Sequence, residues 1–68
     1  MYIKLKDCYY NFRLVKRYKR IDNFLWIWYL DGEVLSIDYP SKDKVENVIR
    51  FINSSINSFG YTDEDKQI

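Results

Sequence analysis

FLWIWYLDGEVLSIDY, residues 24–39, is the stretch whose reading decides the fold. Two runs rich in aromatic and β-branched residues flank Asp31-Gly32. Asp-Gly between apolar runs is a strong hairpin signal, because a type I′ turn needs φ > 0 at both central residues. A two-residue loop there sets Leu30 against Glu33, Trp28 against Leu35, Trp26 against Ile37 and Phe24 against Tyr39. Facing partners share one side of a sheet. One side then carries Phe24, Trp26, Trp28, Leu30, Leu35 and Ile37, and this is the expected core. The other carries Leu25, Ile27, Tyr29, Val34, Ser36 and Asp38, which is more apolar than a plain solvent face requires.

Upstream, Met1, Ile3 and Leu5 alternate with Tyr2, Lys4 and Lys6, the period of a strand. A turn at Asp7-Cys8 sets Leu5 against Tyr10, Ile3 against Phe12 and Met1 against Leu14, all on one apolar face. Tyr2, Lys4, Lys6, Tyr9, Asn11 and Arg13 line the opposite one. A second strand is expected from Tyr9 to Lys19. An even loop, Asp22-Asn23, would put Arg17 and Lys19 among the tryptophans on the core face. An odd loop, Ile21-Asp22-Asn23, or a bulge of the same parity, buries Phe12, Leu14 and Tyr18 and exposes Arg13, Arg17 and Lys19. A one-residue slip turns every side chain over, so burial favours the odd loop.

Downstream, Pro40 ends the last strand because it has no N–H for the ladder. Ser41 suits an N-cap and Asp43 the first turn of a helix. Val45, Val48, Ile49, Ile52, Ile56 and Phe59 then recur at helical spacing, predicting an amphipathic helix over 42–58 with Gly60 as its C′ residue. Phe51 lies off that stripe, as a flank contact with the sheet edge or as an exposed anchor. The whole reads as one β-β-β-β-α domain over residues 1–61, followed by an acidic, frayed tail at 62–68. The fold class is α+β: a four-stranded antiparallel meander with one C-terminal helix packed on one face.

A chain of 68 residues has room for one small core, and thirteen aromatics supply its bulk. Cys8 is the only cysteine and there is no histidine, which excludes an internal disulfide and a Cys/His zinc site. No cofactor or metal is expected. No apolar run reaches the ~20 residues of a membrane span, and the first residues lack signal-peptide order, so a cytoplasmic protein is expected. Charge is lopsided. Residues 1–21 carry seven basic side chains against Asp7 alone, and residues 22–68 carry four against nine acidic ones. Either a basic face meets something anionic or the two halves neutralise each other in the fold.

Catalysis finds no footing in the pattern. Without histidine, base chemistry falls to carboxylates, Lys or Tyr. Asp22, Asp31, Asp38, Asp43 and Glu46 have no motif spacing, and turn, cap and surface roles account for them. Phosphate-loop and dinucleotide glycine patterns are absent. What remains is a sheet face of rings among cations. Such a face stacks bases and tracks phosphates, anchors a protein partner, or packs on a second copy to make a homodimer. The residues expected to meet the partner are Tyr2, Tyr9, Arg13, Arg17 and Tyr29, with Phe51 on the helix.

A short chain rich in Tyr, Ile, Asn and Lys, without catalytic residues, resembles in size and composition the small proteins of bacteriophages and mobile elements, the anti-CRISPR-type inhibitors among them. That resemblance implies a non-enzymatic inhibitor binding a host protein or ribonucleoprotein complex that handles nucleic acid. Strands followed by a C-terminal helix also look like the small archaeal chromatin proteins with an SH3-like barrel, which implies nucleic-acid binding through a sheet face. The acidic second half departs from that pattern.

Overall fold

A computed structural model describes residues 1–58 of the chain, Ser58 by its backbone only. The expected tail, Phe59 and the Gly60 cap lie outside the described residues. Five strands and one helix follow one another: β1 (Tyr2–Leu5), β2 (Cys8–Asn11), β3 (Val15–Ile21), β4 (Phe24–Tyr29), β5 (Val34–Asp38) and α1 (Lys42–Ser58). The class is α+β, but there is no single four-stranded meander. β1 and β2 form a two-stranded sheet, and β3-β4-β5 form an antiparallel three-stranded one.

The expected strand from Tyr9 to Lys19 is broken at Phe12–Leu14 by one turn of 3-10 helix. The Asn11 side chain accepts a hydrogen bond from the Arg13 N–H at 3.1 Å and caps that turn. An Asn bonding two residues ahead offers the backbone an alternative to the ladder. The turn buries Phe12, whose N–H donates to the Met1 carbonyl at 2.9 Å, and leaves Leu14, an expected core residue, exposed.

In the first hairpin the loop is Lys6-Asp7, not Asp7-Cys8, so Leu5 pairs with Cys8 and Ile3 with Tyr10. Moving a turn by one residue moves the pairing by two, so the faces are unchanged. Ile3 and Leu5 are buried, and Tyr2, Lys4 and Tyr9 are exposed.

The central misreading lies on β4. Tyr29 N–H donates to the Glu33 carbonyl at 2.8 Å, and Gly32 N–H donates back to the Tyr29 carbonyl at 3.1 Å. The loop is therefore Leu30-Asp31-Gly32. Gly32 alone in it has positive φ, +95°, so a type I′ turn is excluded and a turn closed by a left-handed glycine stands in its place. The Asp31 side chain caps it by accepting the Glu33 N–H at 2.9 Å. At the other end Ile21 pairs with Phe24, so the β3–β4 loop is the even one, Asp22-Asn23. Both corrections have one cause: β4 is turned over relative to both neighbours. Leu25 and Ile27 are the core residues, fully buried, and Phe24, Trp26 and Trp28 lie on the outer face. Tyr29 points inward and is half-buried.

The neighbours keep the expected phases. Tyr18 and Ile37 are buried, and Arg17 and Lys19 are exposed. A bulge between Val15 and Arg17 sends Val15 inward instead of to the outer face and keeps Arg17 outward. α1 covers the inner face with Val45, Ile52 and Ile56, all fully buried. Its start is fixed by Ser41, whose Oγ accepts the Lys44 N–H at 3.2 Å. Tyr18 stands edge-on to Phe12, with centroids 5.9 Å apart and planes at 77°, and its hydroxyl donates to Asn53 of α1. No helix among the described residues is long and apolar enough to cross a membrane.

Candidate functional site on the outer sheet face

The period-2 alternation of strands places every second residue of β3, β4 and β5 on the side away from α1. Three rungs result: Arg17, Trp28 and Val34; Lys19, Trp26 and Ser36; Ile21, Phe24 and Asp38. Trp26 and Trp28, two residues apart on the central strand, stack with centroids 6.2 Å apart and planes 30° from parallel. The Arg17 guanidinium lies 4.3 Å from the Trp28 ring centroid, well within cation–π range. Both tryptophans are half-buried, while Ile21, Phe24 and Val34 are exposed. The face is thus a ladder of apolar rings with cations along the β3 side and Asp38 at one corner.

Local chemistry holds this ladder rigid. Asn23 donates its side-chain N–H to the Asp38 carboxylate at 3.1 Å and to the Tyr39 carbonyl at 2.7 Å. Those two bonds tie the β3–β4 turn to the end of β5. Asp38 is thereby partly spoken for, so it is a weak counter-charge to Arg17 and Lys19. On the edge of β3, Arg20 turns toward α1 and pairs with Glu46 at 3.3 Å. Both side chains are substantially exposed, and such a pair adds little stability.

The six residues expected to meet a partner do not converge. Arg17 lies in the ladder. Tyr2 and Tyr9 stand on the exposed face of the β1–β2 hairpin, with the Lys4 ammonium 5.9 Å from the Tyr9 ring. Arg13 is exposed on the 3-10 turn. Tyr29 faces the core, and Phe51 is exposed on α1. Sequence reasoning missed Trp26, Trp28 and Lys19 as one cluster. The signal that finds them is β5, where Leu35 and Ile37 alternate with Ser36 and Asp38, since the polar phase of β5 marks the outer rungs.

Three tyrosines inside the fold have hydroxyls harder to ionise than usual. Burial raises Tyr10, with Cys8, Tyr29 and Tyr39 nearby adding to it. Burial also raises Tyr29, reinforced by Asp31 and Glu33, and burial alone raises Tyr39. These phenols stay neutral near pH 7 and are poor general bases there. No group of three or more His, Cys, Asp or Glu side chains gathers among the described residues. The outer face offers stacking, apolar contact and positive charge.

Compared with protein-family models, with curated proteins and with solved structures, the chain finds no match in any of the three.

Proposed function

We propose that this chain is a small non-enzymatic protein-binding module of inhibitor type, and that the outer face of β3-β4-β5 is its recognition surface. The carrying observation is the Trp26–Trp28 stack with Arg17 laid on it, half-exposed on a sheet. Trp and Arg are the residue types that dominate interface hot spots. Strand backbones fix them before binding, which lowers the ordering cost of association. Charges of both signs border the rings, Arg17 and Lys19 against Asp38, and a mixed rim suits a protein surface better than a row of phosphates. A nucleic-acid-handling complex of a bacterial host is the partner class, and the resemblance in size and composition to anti-CRISPR-type inhibitors supports it.

One observation favours a second reading, binding of nucleic acid by the same face. Arg17 and Lys19 lie on edge strand β3 in the rungs of Trp28 and Trp26, and cations beside stacked rings are what single strands bind. One experiment separates the two. The protein is immobilised in bacterial lysate with and without nuclease treatment, beside Arg17→Ala and Trp28→Ala variants. The protein reading expects a stoichiometric protein captured after nuclease treatment and lost in both variants. Capture that vanishes with nuclease, or a gel shift that weakens steeply with salt, transfers the face to nucleic acid. Capture unaffected by either variant removes the face from both readings.

A further inference from the structure

We infer a second binding site, for a nucleotide unit, in the groove between the β1–β2 turn and the first half of α1, away from the tryptophan ladder and independent of its reading. The groove is open to solvent, has a volume of about 240 Å³ and is lined by Lys4, Leu5, Lys6, Tyr39, Lys44, Asn47, Val48 and Phe51. Three lysines, from β1, the β1–β2 turn and α1, contribute to its lining, and no carboxylate does. A lining that carries cations and no anion favours an anionic ligand.

Two further observations agree. Lys6 holds φ +57°, a left-handed conformation that glycine or asparagine adopts more cheaply. The two-residue turn imposes it, as the β3–β4 turn imposes φ +56° on Asp22. The Lys6 ammonium lies 5.2 Å from the Tyr39 ring, which keeps it at the groove. Lys44 sits in the first helical turn, where the helix dipole disfavours a cation and favours an anion.

The donor set selects the ligand chemistry. Lysine ammonium is a point charge suited to phosphate, whereas carboxylates favour the arginine fork, and no arginine lines the groove. A volume of about 240 Å³ lies below the ~300–1,000 Å³ of drug-sized pockets, which is room for a phosphate and its sugar with the base outside. Phe51, 53% exposed at the rim, offers a ring on which a base stacks. The phosphate therefore sits among Lys4, Lys6 and Lys44, with the base over Phe51. A free mononucleotide and the 5′-phosphate end of a strand share this chemistry.

The test is a titration of the isotope-labelled full chain followed by its amide resonances. AMP is expected to shift Lys6, Lys44, Asn47 and Phe51 selectively. Adenosine, lacking the phosphate, and inorganic phosphate, lacking the base, should each bind at least ~10-fold more weakly. The charge-removing variants Lys4→Gln and Lys44→Gln, both at exposed positions, should weaken AMP several-fold, while Arg17→Gln should not. A 5′-phosphorylated oligonucleotide binding more tightly than AMP and than its 5′-hydroxyl form assigns the site to a strand end; equal affinity assigns it to the free nucleotide. Adenosine binding as well as AMP, shifts centred on Trp26 and Trp28, binding undiminished in the lysine variants, or tighter binding of an oligoglutamate peptide would each overturn the inference.

Discussion

Gly32 and Lys6 occupy the same unusual backbone region with opposite side-chain logic. Gly32 has φ +95°, and a Cβ placed there meets nothing within 4 Å. The cost of Gly32→Ala is therefore conformational and not steric, about 1 kcal/mol, read as a lowered urea midpoint. Lys6 at φ +57° bears the penalty that Gly32 avoids. Lys6→Gly should raise stability by about 0.5–1 kcal/mol and, on the nucleotide inference, weaken AMP at the same time. Stabilisation together with lost binding is a pattern that a purely structural lysine would not produce. The tyrosines add a pH dependence. Tyr10, Tyr29 and Tyr39 have folded-state values raised above the ~10 of a free phenol. The unfolded chain thus releases these protons first as pH rises, and its ionisation draws the equilibrium toward unfolding. Their contribution is complete below about pH 10 and is lost as pH climbs through the folded-state values. Thermal melts across pH 8–11, with phenolate absorbance as a second readout, check this; stability flat across that range would contradict it.

At the scale of the element, β4 carries two apolar faces, and only one of them is core. Leu25 and Ile27 are fully buried beneath α1, so Leu25→Ala or Ile27→Ala should cost about 2–5 kcal/mol. Trp26→Ala removes a ring that stacks on Trp28 and stays partly in water. Its cost should be smaller, about 1–2 kcal/mol from the lost stacking and apolar contact. Urea unfolding followed by far-UV circular dichroism ranks the three, and a Trp26 variant less stable than the Leu25 variant would mean that β4 faces the other way. The choice of Leu and Ile over Trp for the interior has a physical basis. The indole N–H needs a polar partner when buried, and the fully buried side chains that the helix sets against this face, Val45, Ile52 and Ile56, are apolar, while Asn53 is taken by Tyr18. The strand pattern FLWIWY is apolar in both phases, so alternation establishes that β4 is a strand and is blind to which side is inside.

For the whole molecule, the proposed recognition face and the core lie on opposite sides of the β3-β4-β5 sheet. The interior is aliphatic apart from Phe12, Tyr18 and Tyr39, which leaves both tryptophans and Arg17 outside it. Arg17→Ala and Trp28→Ala should then keep a cooperative thermal transition while weakening the partner by about 2 kcal/mol or more, roughly 30-fold. Paired melting and affinity measurements decide it. Loss of the fold in Trp28→Ala would make the ladder structural.

The helix was legible residue by residue. Its span of Lys42–Ser58, its Ser41 cap and its buried stripe follow from a local period that tertiary contacts only reinforce. The alternation of β1 and the phase of β5 were legible for the same reason. The break at Phe12–Leu14, the length of each loop and the orientation of β4 were not. Asp31-Gly32 permits either a two-residue or a three-residue loop, Asp22-Asn23 permits either parity, and each choice turns the next strand over. Only competition for one small core decides among them: Leu25 and Ile27 are buried with Ile37, Val45 and Ile52, and the two indoles stay partly in water. The aromatic-basic character of a sheet face was thus written in the composition. Which rings form it was settled by packing, because alternation has a period but no sign until a helix covers one side.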